Sequence, residues 1–281
     1  LNQIDAISAT AGPGMVVCLN VGLNFGKGLA KSLKKPFIAV NHLEGHALSP
    51  MLNSSIKFPY LLLLISGGHT QFLSVENLGK YKRLGTTIDD ALGEAFDKTA
   101  KLLGIEFPGG PEIENFAKKG NKYKFNLPMP IINKGGCNLS FAGLKTAVLK
   151  IAKKIKTQKE KYDLAASFQF TIEEILKKKT ETAFKEFKKI SNKEKKTFVV
   201  AGGVAANQNI RLSLKNLCIK NNFNPIFPDK ELCGDNAAMI ALVGLKKFNK
   251  KRFDKLNFEA NPRWPLDRNA KFLKGPGVIL E

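Results

Sequence analysis

The sequence predicts an α/β protein of two lobes, and three observations carry that prediction. The chain opens as strand, helix, strand, helix; further on, apolar strands end in glycine turns; and 281 residues with 43% hydrophobic content suffice for two medium cores. Ile4 to Ala9 alternates as a strand does and stops at Gly12-Pro13-Gly14. Met15 to Leu33 carries apolar residues at helical spacing, and Pro36 to Val40 is a short buried strand. The segment Asn41-His42-Leu43-Glu44-Gly45-His46 then starts a second helix.

Phe58-Pro59 breaks the pattern. Tyr60 to Ile65 reads as a fully buried strand that stops at Ser66-Gly67-Gly68-His69-Thr70, and Gln71 to Val75 as its hairpin partner, with turn N–H groups free to face an anion. Thr87 to Leu103 reads as a helix with Asp89, Asp90, Glu94 and Asp97 near its start and Gly104 at its end. Phe107 to Asn138, rich in Gly, Pro and Asn, reads as a long irregular loop. Helices over Leu144 to Lys156 and Tyr162 to Lys189 follow, then a buried strand, Thr197 to Ala201. Gly202 to Asn207 leads into a helix through Ile219, a strand, glycine turn and helix N-terminus suited to a nucleotide phosphate, although it is neither G-x-G-x-x-G nor a P-loop. Asn224 to Phe227 is a last strand, and Asp235 stands just before the helix Ala237 to Phe248.

Composition narrows the function classes. The longest apolar run is far too short to cross a bilayer and no signal-peptide pattern opens the chain, so a cytoplasmic protein without membrane contact is expected. Cys18, Cys137, Cys218 and Cys233 form no C-x-x-C pair, as expected of reduced thiols. A net charge of +21 favours a polyanionic partner, most simply a nucleic acid. A lysine-rich composition of AT-rich coding origin gives the same excess, and runs such as Lys150 to Lys161 also suit the wet faces of helices.

His42 and His46 are two of only three histidines and lie four apart, so on a helix they present two imidazoles to one metal ion, with Asp235 available as a third ligand if the C-terminal segment packs back on the first lobe. Coincidence with capping remains the bland explanation of such a pair. The zinc-peptidase helix H-E-x-x-H differs, because Glu44 follows His42 by two positions, roughly 200° round the helix, and points away from the pair.

Eight motifs occur in one order: NHLEGH (Asn41 to His46), ISGGHTQ (Ile65 to Gln71), DDALGEAFDKTAKLLG (Asp89 to Gly104), FPGGP (Phe107 to Pro111), SFAGLKT (Ser140 to Thr146), AGGVAAN (Ala201 to Asn207), CGDNAAMIA (Cys233 to Ala241) and PRWPLD (Pro262 to Asp267). Together they resemble the TsaD family of tRNA threonylcarbamoyladenosine transferases, formerly described as O-sialoglycoprotein endopeptidases, from Leu1 to about Asp267. The resemblance implies a two-lobed actin/Hsp70/sugar-kinase-like fold, with the first lobe incomplete at its N-terminus because the family's opening strands have no counterpart here. It divides the chain into a first lobe of residues 1–58 and 236–268, a second lobe of residues 59–235 and a tail of residues 269–281.

The same resemblance implies transfer of threonylcarbamoyl from threonylcarbamoyl-AMP to the exocyclic amine of the adenosine 3′ of a tRNA anticodon. By motif, His42, His46 and Asp235 would be ligands of one Fe2+ or Zn2+ ion; Leu64, Ile65, Ser66, Gly67, Gly68, Asp97, Gly110, Glu114 and Asn207 would form the adenylate site. Glu114 departs from the family's usual Asp or apolar residue, and Met15-Val16-Val17-Cys18 from its usual small residue and serine, a change expected to alter packing or adenylate access. Lys145 is a candidate proton acceptor. Implied partners are tRNA, a TsaB-like paralogue subunit and a TsaE-like ATPase subunit. A non-catalytic scaffold and a metallopeptidase are the competing classes. For single residues the surface explanations stand alongside: Asp97 pairing with Lys98 or Lys101, and Asn207 serving only as a helix N-cap.

Overall fold

The structure, a computed structural model, describes residues 3–191, 194 and 196–271; all of the expected tail beyond Lys271 lies outside the described residues. β1 (Ile7–Gly12), α1 (Val16–Ser32) and β2 (Phe37–Asn41) form a parallel pair of strands with its connecting helix. α2 (His42–Leu48) follows β2 without a loop, because the Asn41 side chain accepts hydrogen bonds from the N–H groups of Leu43 (2.9 Å) and Glu44 (3.3 Å) and so starts the helix at once.

β3 (Tyr60–Ile65), β4 (Thr70–Asn77) and β5 (Lys80–Thr86) form an antiparallel meander. α3 (Leu92–Leu102), α4 (Gly109–Ala117), α5 (Ala142–Ala152) and the long α6 (Gln158–Ile190) come next. β6 (Lys196–Ala201), α7 (Gln208–Lys220) and β7 (Phe223–Ile226) complete a five-stranded sheet of order β5-β4-β3-β6-β7, and α8 (Ala237–Phe248) returns to the first sheet. No helix among the described residues is long and apolar enough to cross a membrane.

The continuous apolar run of β3 is explained by burial on both faces. Leu61, Leu63 and Ile65 enter the large core with Phe96, Phe168, Ile172 and Leu214, whereas Tyr60, Leu62 and Leu64 meet Leu43 and Ala47 of α2 on the opposite face. Burying each such leucine contributes about 1.5–3 kcal/mol. α2 thus lies between the two sheets, and its other side packs on α8, where a Cβ added to Gly45 would stand 3.1 Å from both Met239 and Ile240. The C-terminal segment does pack back: Gly244 approaches Ser8 of β1 too closely for any side chain, the Ala39 N–H donates to Asp254 (2.9 Å) and the Asn41 amide to the Trp264 carbonyl (3.0 Å).

Three sequence expectations are corrected, and one strand is added. β1 begins at Ile7 rather than Ile4. The helix expected from Thr87 begins at Leu92, because the preceding acidic side chains bond elsewhere: Asp89 accepts from the N–H groups of Phe141 (2.8 Å) and Ala142 (3.3 Å), and Asp90 pairs with Lys145 and Lys98. β5 went unread, although Gly79 (φ +75°) supplies the hairpin turn before it. The segment expected as loop from Phe107 contains α4, whose Pro111 sits in the first turn where its missing N–H costs nothing.

Candidate metal centre and nucleotide pocket

α2 and the residues leading into α8 bring His42, His46 and Asp235 together. The Nε2 atoms of His42 and His46 lie 3.3 and 3.0 Å from the same Asp235 carboxylate oxygen, and the three candidate ligand atoms fall within 4.8 Å of one another. His46 is buried, His42 half-buried and Asp235 exposed, so the set closes the floor of a cleft and opens toward solvent. Hydrogen bonds from His42 and then His46 hold the Asp235 carboxyl well below the usual carboxylate range, so it is an anion at any neutral pH. Two imidazole nitrogens and one carboxylate oxygen, all converging, match the donor set of a three-ligand Zn2+ or Fe2+ site with open positions. Buried His46 Nδ1 has no hydrogen-bond partner among the described residues, and Nε2 is the ring nitrogen that faces Asp235.

The cleft above this set has a volume of about 730 Å3, and Met15, Arg83, Arg263, Trp264 and the Ser66–His69 turn also line it. Ser66 N–H donates to the His69 carbonyl (2.8 Å) and His69 N–H to Ser66 Oγ (3.1 Å), which holds the turn at the end of β3 tight. Gly67 and Gly68 are exposed there, and neither N–H meets an acceptor among the described residues.

A second cavity of about 540 Å3 opens on the other side of Gly67, within the size range of small-molecule sites. Its walls include Phe96, Phe107, Pro108 and Val204, with Asp97, Glu114 and Asn207 as polar groups. Each polar group also holds backbone. Asp97 accepts from Gly109 N–H (3.0 Å) at the start of α4, and Glu114 from Gln208 N–H (2.8 Å) at the start of α7. Asn207 is the N-cap of α7, accepting from Ile210 N–H (3.0 Å) while its amide donates to Gln169 (2.9 Å). Gly202 (φ +97°) lets β6 turn into this pocket; a Cβ there would stand 2.4 Å from the Ile65 carbonyl oxygen.

Of the residues named from sequence, Gly67, Asp97, Gly110, Glu114 and Asn207 line this pocket, and Ser66, Gly67 and Gly68 line the cleft beside it. Leu64 and Ile65 are fully buried in the sheet and line neither. Lys145 also lines neither; it pairs with Asp90 at 2.9 Å. Lys98 bonds Glu94 and Asp90 rather than Asp97. Val16 and Val17 are exposed rather than packed in a core, while Met15 and Cys18 reach cavities beside His42 and Asp235. Sequence reasoning missed Arg83, Phe96 and Val204 as lining residues; Phe96 reads as core by its spacing, and Arg83 belongs to the unread β5. Glu44 points away from the histidine nitrogens and bonds Gly79 and Tyr81, so it is not placed as the carboxylate base of a peptidase-like arrangement.

Two sheets sharing α2, with glycine turns at the ends of β3 and β6, define a two-lobed α/β protein of the actin/Hsp70/sugar-kinase type that carries a His/His/Asp donor set beside a nucleotide-sized pocket. The fold is shared with crystal structures of HypF: one of full-length HypF in the phosphate- and nucleotide-bound form has a TM-score of 0.62 at 14% identity over 89% of this chain and 48% of that one, and one of T. kodakarensis HypF has 0.63 at 16% over 88% and 41%. The chain belongs to the TsaD family, tRNA N6-adenosine threonylcarbamoyltransferase, whose profile matches residues 1–242. A tRNA N6-adenosine threonylcarbamoyltransferase of Pelagibacter ubique (strain HTCC1062) is 71% identical over all of this chain and 78% of its own length. One of Rickettsia rickettsii (strain Sheila Smith) is 52% identical over 95% of this chain and 78% of its own.

Proposed function

We propose that the chain transfers threonylcarbamoyl from threonylcarbamoyl-AMP to the exocyclic amine of the adenosine 3′ of the anticodon, in tRNAs that read codons beginning with A, and releases AMP. The observation that carries this reading is that Gly67 lines both cavities, so one short turn separates the donor set from the nucleotide pocket. A mixed anhydride laid across that turn has its adenosine on one side and its carbamoyl group on the other. In the reaction the amine nitrogen bonds the carbamoyl carbon, the bond from that carbon to the phosphate oxygen breaks, AMP leaves with the electron pair, and the amine gives up a proton.

The chain's own groups fit those demands. Phe96, Phe107, Pro108 and Val204 receive the base and exclude water, Glu114 and Asp97 accept from hydroxyl or amine donors, and the N–H groups of Gly67 and Gly68 donate to the phosphate. His42, His46 and Asp235 would hold one divalent ion, iron or zinc, which when bound supplies a Lewis acid for the carbamoyl carbonyl. The net charge of +21 suits a tRNA substrate. We place the activity in the cytoplasm, in a complex with a TsaB-like paralogue subunit and a TsaE-like ATPase subunit.

The test follows radiolabelled threonine from threonylcarbamoyl-AMP into unmodified tRNA, with the partner subunits present and metal stripped and then returned. Incorporation that depends on metal supports the reading. No incorporation under any of these conditions would leave a binding scaffold.

A further inference from the structure

Glu44 is the residue of the histidine motif that the reaction leaves unused, yet its carboxylate is buried, with 3% of the residue exposed. Burying a carboxylate is costly unless it is paired and hydrogen-bonded, so its partners identify what it does. One oxygen accepts from Gly79 N–H (3.0 Å) and from the Tyr81 hydroxyl (2.8 Å), both at the β4–β5 hairpin of the five-stranded sheet. The other faces Lys247 Nζ of α8 at 3.4 Å. Lys247 in turn donates to the Ala39 carbonyl of β2 (3.0 Å). Burial, and then the Glu44 charge, hold the Tyr81 phenol well above its ordinary range, so it remains a donor.

These contacts tie α2, α8 and the large sheet to one carboxylate, and α2 and the residues leading into α8 carry all three candidate ligands. We infer that Glu44, with Lys247 and Tyr81, is a positioning group that sets the separation of His42 and His46 from Asp235 and thereby the affinity of the site for a divalent ion. The inference rests on the metal-holding part of the proposed function. It assigns Glu44 no contact with substrate or metal. Its place between the two histidines follows from the helix: residues flanking it by two positions on either side face the cleft, so Glu44 faces the opposite way, where α8 and the hairpin meet.

The experiment measures Zn2+ affinity of the whole chain by competition with a chromophoric chelator, together with the melting temperature of the metal-free protein. The variants are Glu44→Gln, Lys247→Met and Tyr81→Phe; Tyr81→Phe removes only a hydroxyl and keeps the fold within reach if the charge variants fail to fold. Glu44→Gln and Lys247→Met are expected to weaken Zn2+ about 10-fold or more, Tyr81→Phe by less, and the double variant Glu44→Gln/Lys247→Met by no more than the worse single one. Melting temperatures that fall while Zn2+ affinity stays within twofold of the unmodified chain would overturn the inference and leave a purely structural pair. An unmodified chain that binds no Zn2+ or Fe2+ would overturn the metal reading itself, and the inference with it.

Discussion

The candidate metal centre and the candidate nucleotide pocket are neighbours built on opposite plans. His42, His46 and Asp235 come from the two ends of the chain and meet only because α8 packs on α2 and the first sheet. The pocket is built between Gly67 and Lys230 from the turns after β3 and β6 and the starts of α3, α4 and α7, and three of its polar side chains, Asp97, Glu114 and Asn207, cap or tether a helix. The first site therefore depends on how α2 and the segment before α8 are held together; the second depends on turns and helix starts gathered around the five-stranded sheet. A perturbation of one should leave the other measurably intact.

The strongest break in the comparison is His46→Ala. Removing this buried candidate ligand is expected to abolish stoichiometric Zn2+ binding and lower threonine incorporation about 100-fold or more, while the affinity for AMP, measured by calorimetry, stays within twofold. Loss of both affinities would mean that the two sites are one unit. Next is Gly202→Ala, which forces a side chain into a left-handed position against the Ile65 carbonyl. It should cost about 1–3 kcal/mol of stability and weaken AMP about 10-fold, with Zn2+ affinity unchanged.

A smaller effect is expected at the ion pair that ties α5 to the segment before α3. Burial pushes the Asp90 carboxyl up, but hydrogen bonds and charge from Lys145 and Lys98 outweigh it and hold it below its ordinary value. A depressed carboxyl contributes stability above its unfolded pKa of about 3.9 and loses it as pH falls through the folded value. Asp90→Asn should therefore cost about 1 kcal/mol in denaturant melts at pH 7, with the difference shrinking below about pH 4. Smallest is a matter of labelling. Burial pushes the Cys137 thiol up to about 11 and the Cys218 thiol up to about 12, and it also raises Cys233. At pH 8 a maleimide should react with exposed Cys18, which shares a cavity with His42 and Asp235, and mass spectrometry should find the other three thiols unmodified. AMP affinity should survive that modification.

Legibility in the sequence divides along the same line. The strands and helices with strong periodicity, such as Tyr60 to Ile65 and Ala237 to Phe248, are readable because burial on two faces or one leaves an unmistakable pattern. The histidine pair is legible from its spacing, whereas Asp235 is legible only on the condition that the C-terminal segment packs back, since nothing local in CGDN says that it returns to α2. α4 is hidden by glycine and proline that suit a helix N-terminus as well as a loop, and the start of α3 is hidden by aspartates that bond a distant helix start. Glu44 was legible in direction but not in purpose, because Gly79, Tyr81 and Lys247 lie 35 to 203 positions further along the chain.

Between two sheets and against α8, the seven-residue α2 buries every side chain from Leu43 to Leu48 and has only its first histidine partly open to solvent. A segment of that kind has almost no neutral neighbours in sequence space. In a saturation library selected for function, nearly every substitution between positions 43 and 48 should be depleted, while exposed positions of α6 such as Lys178 and Lys185 drift freely.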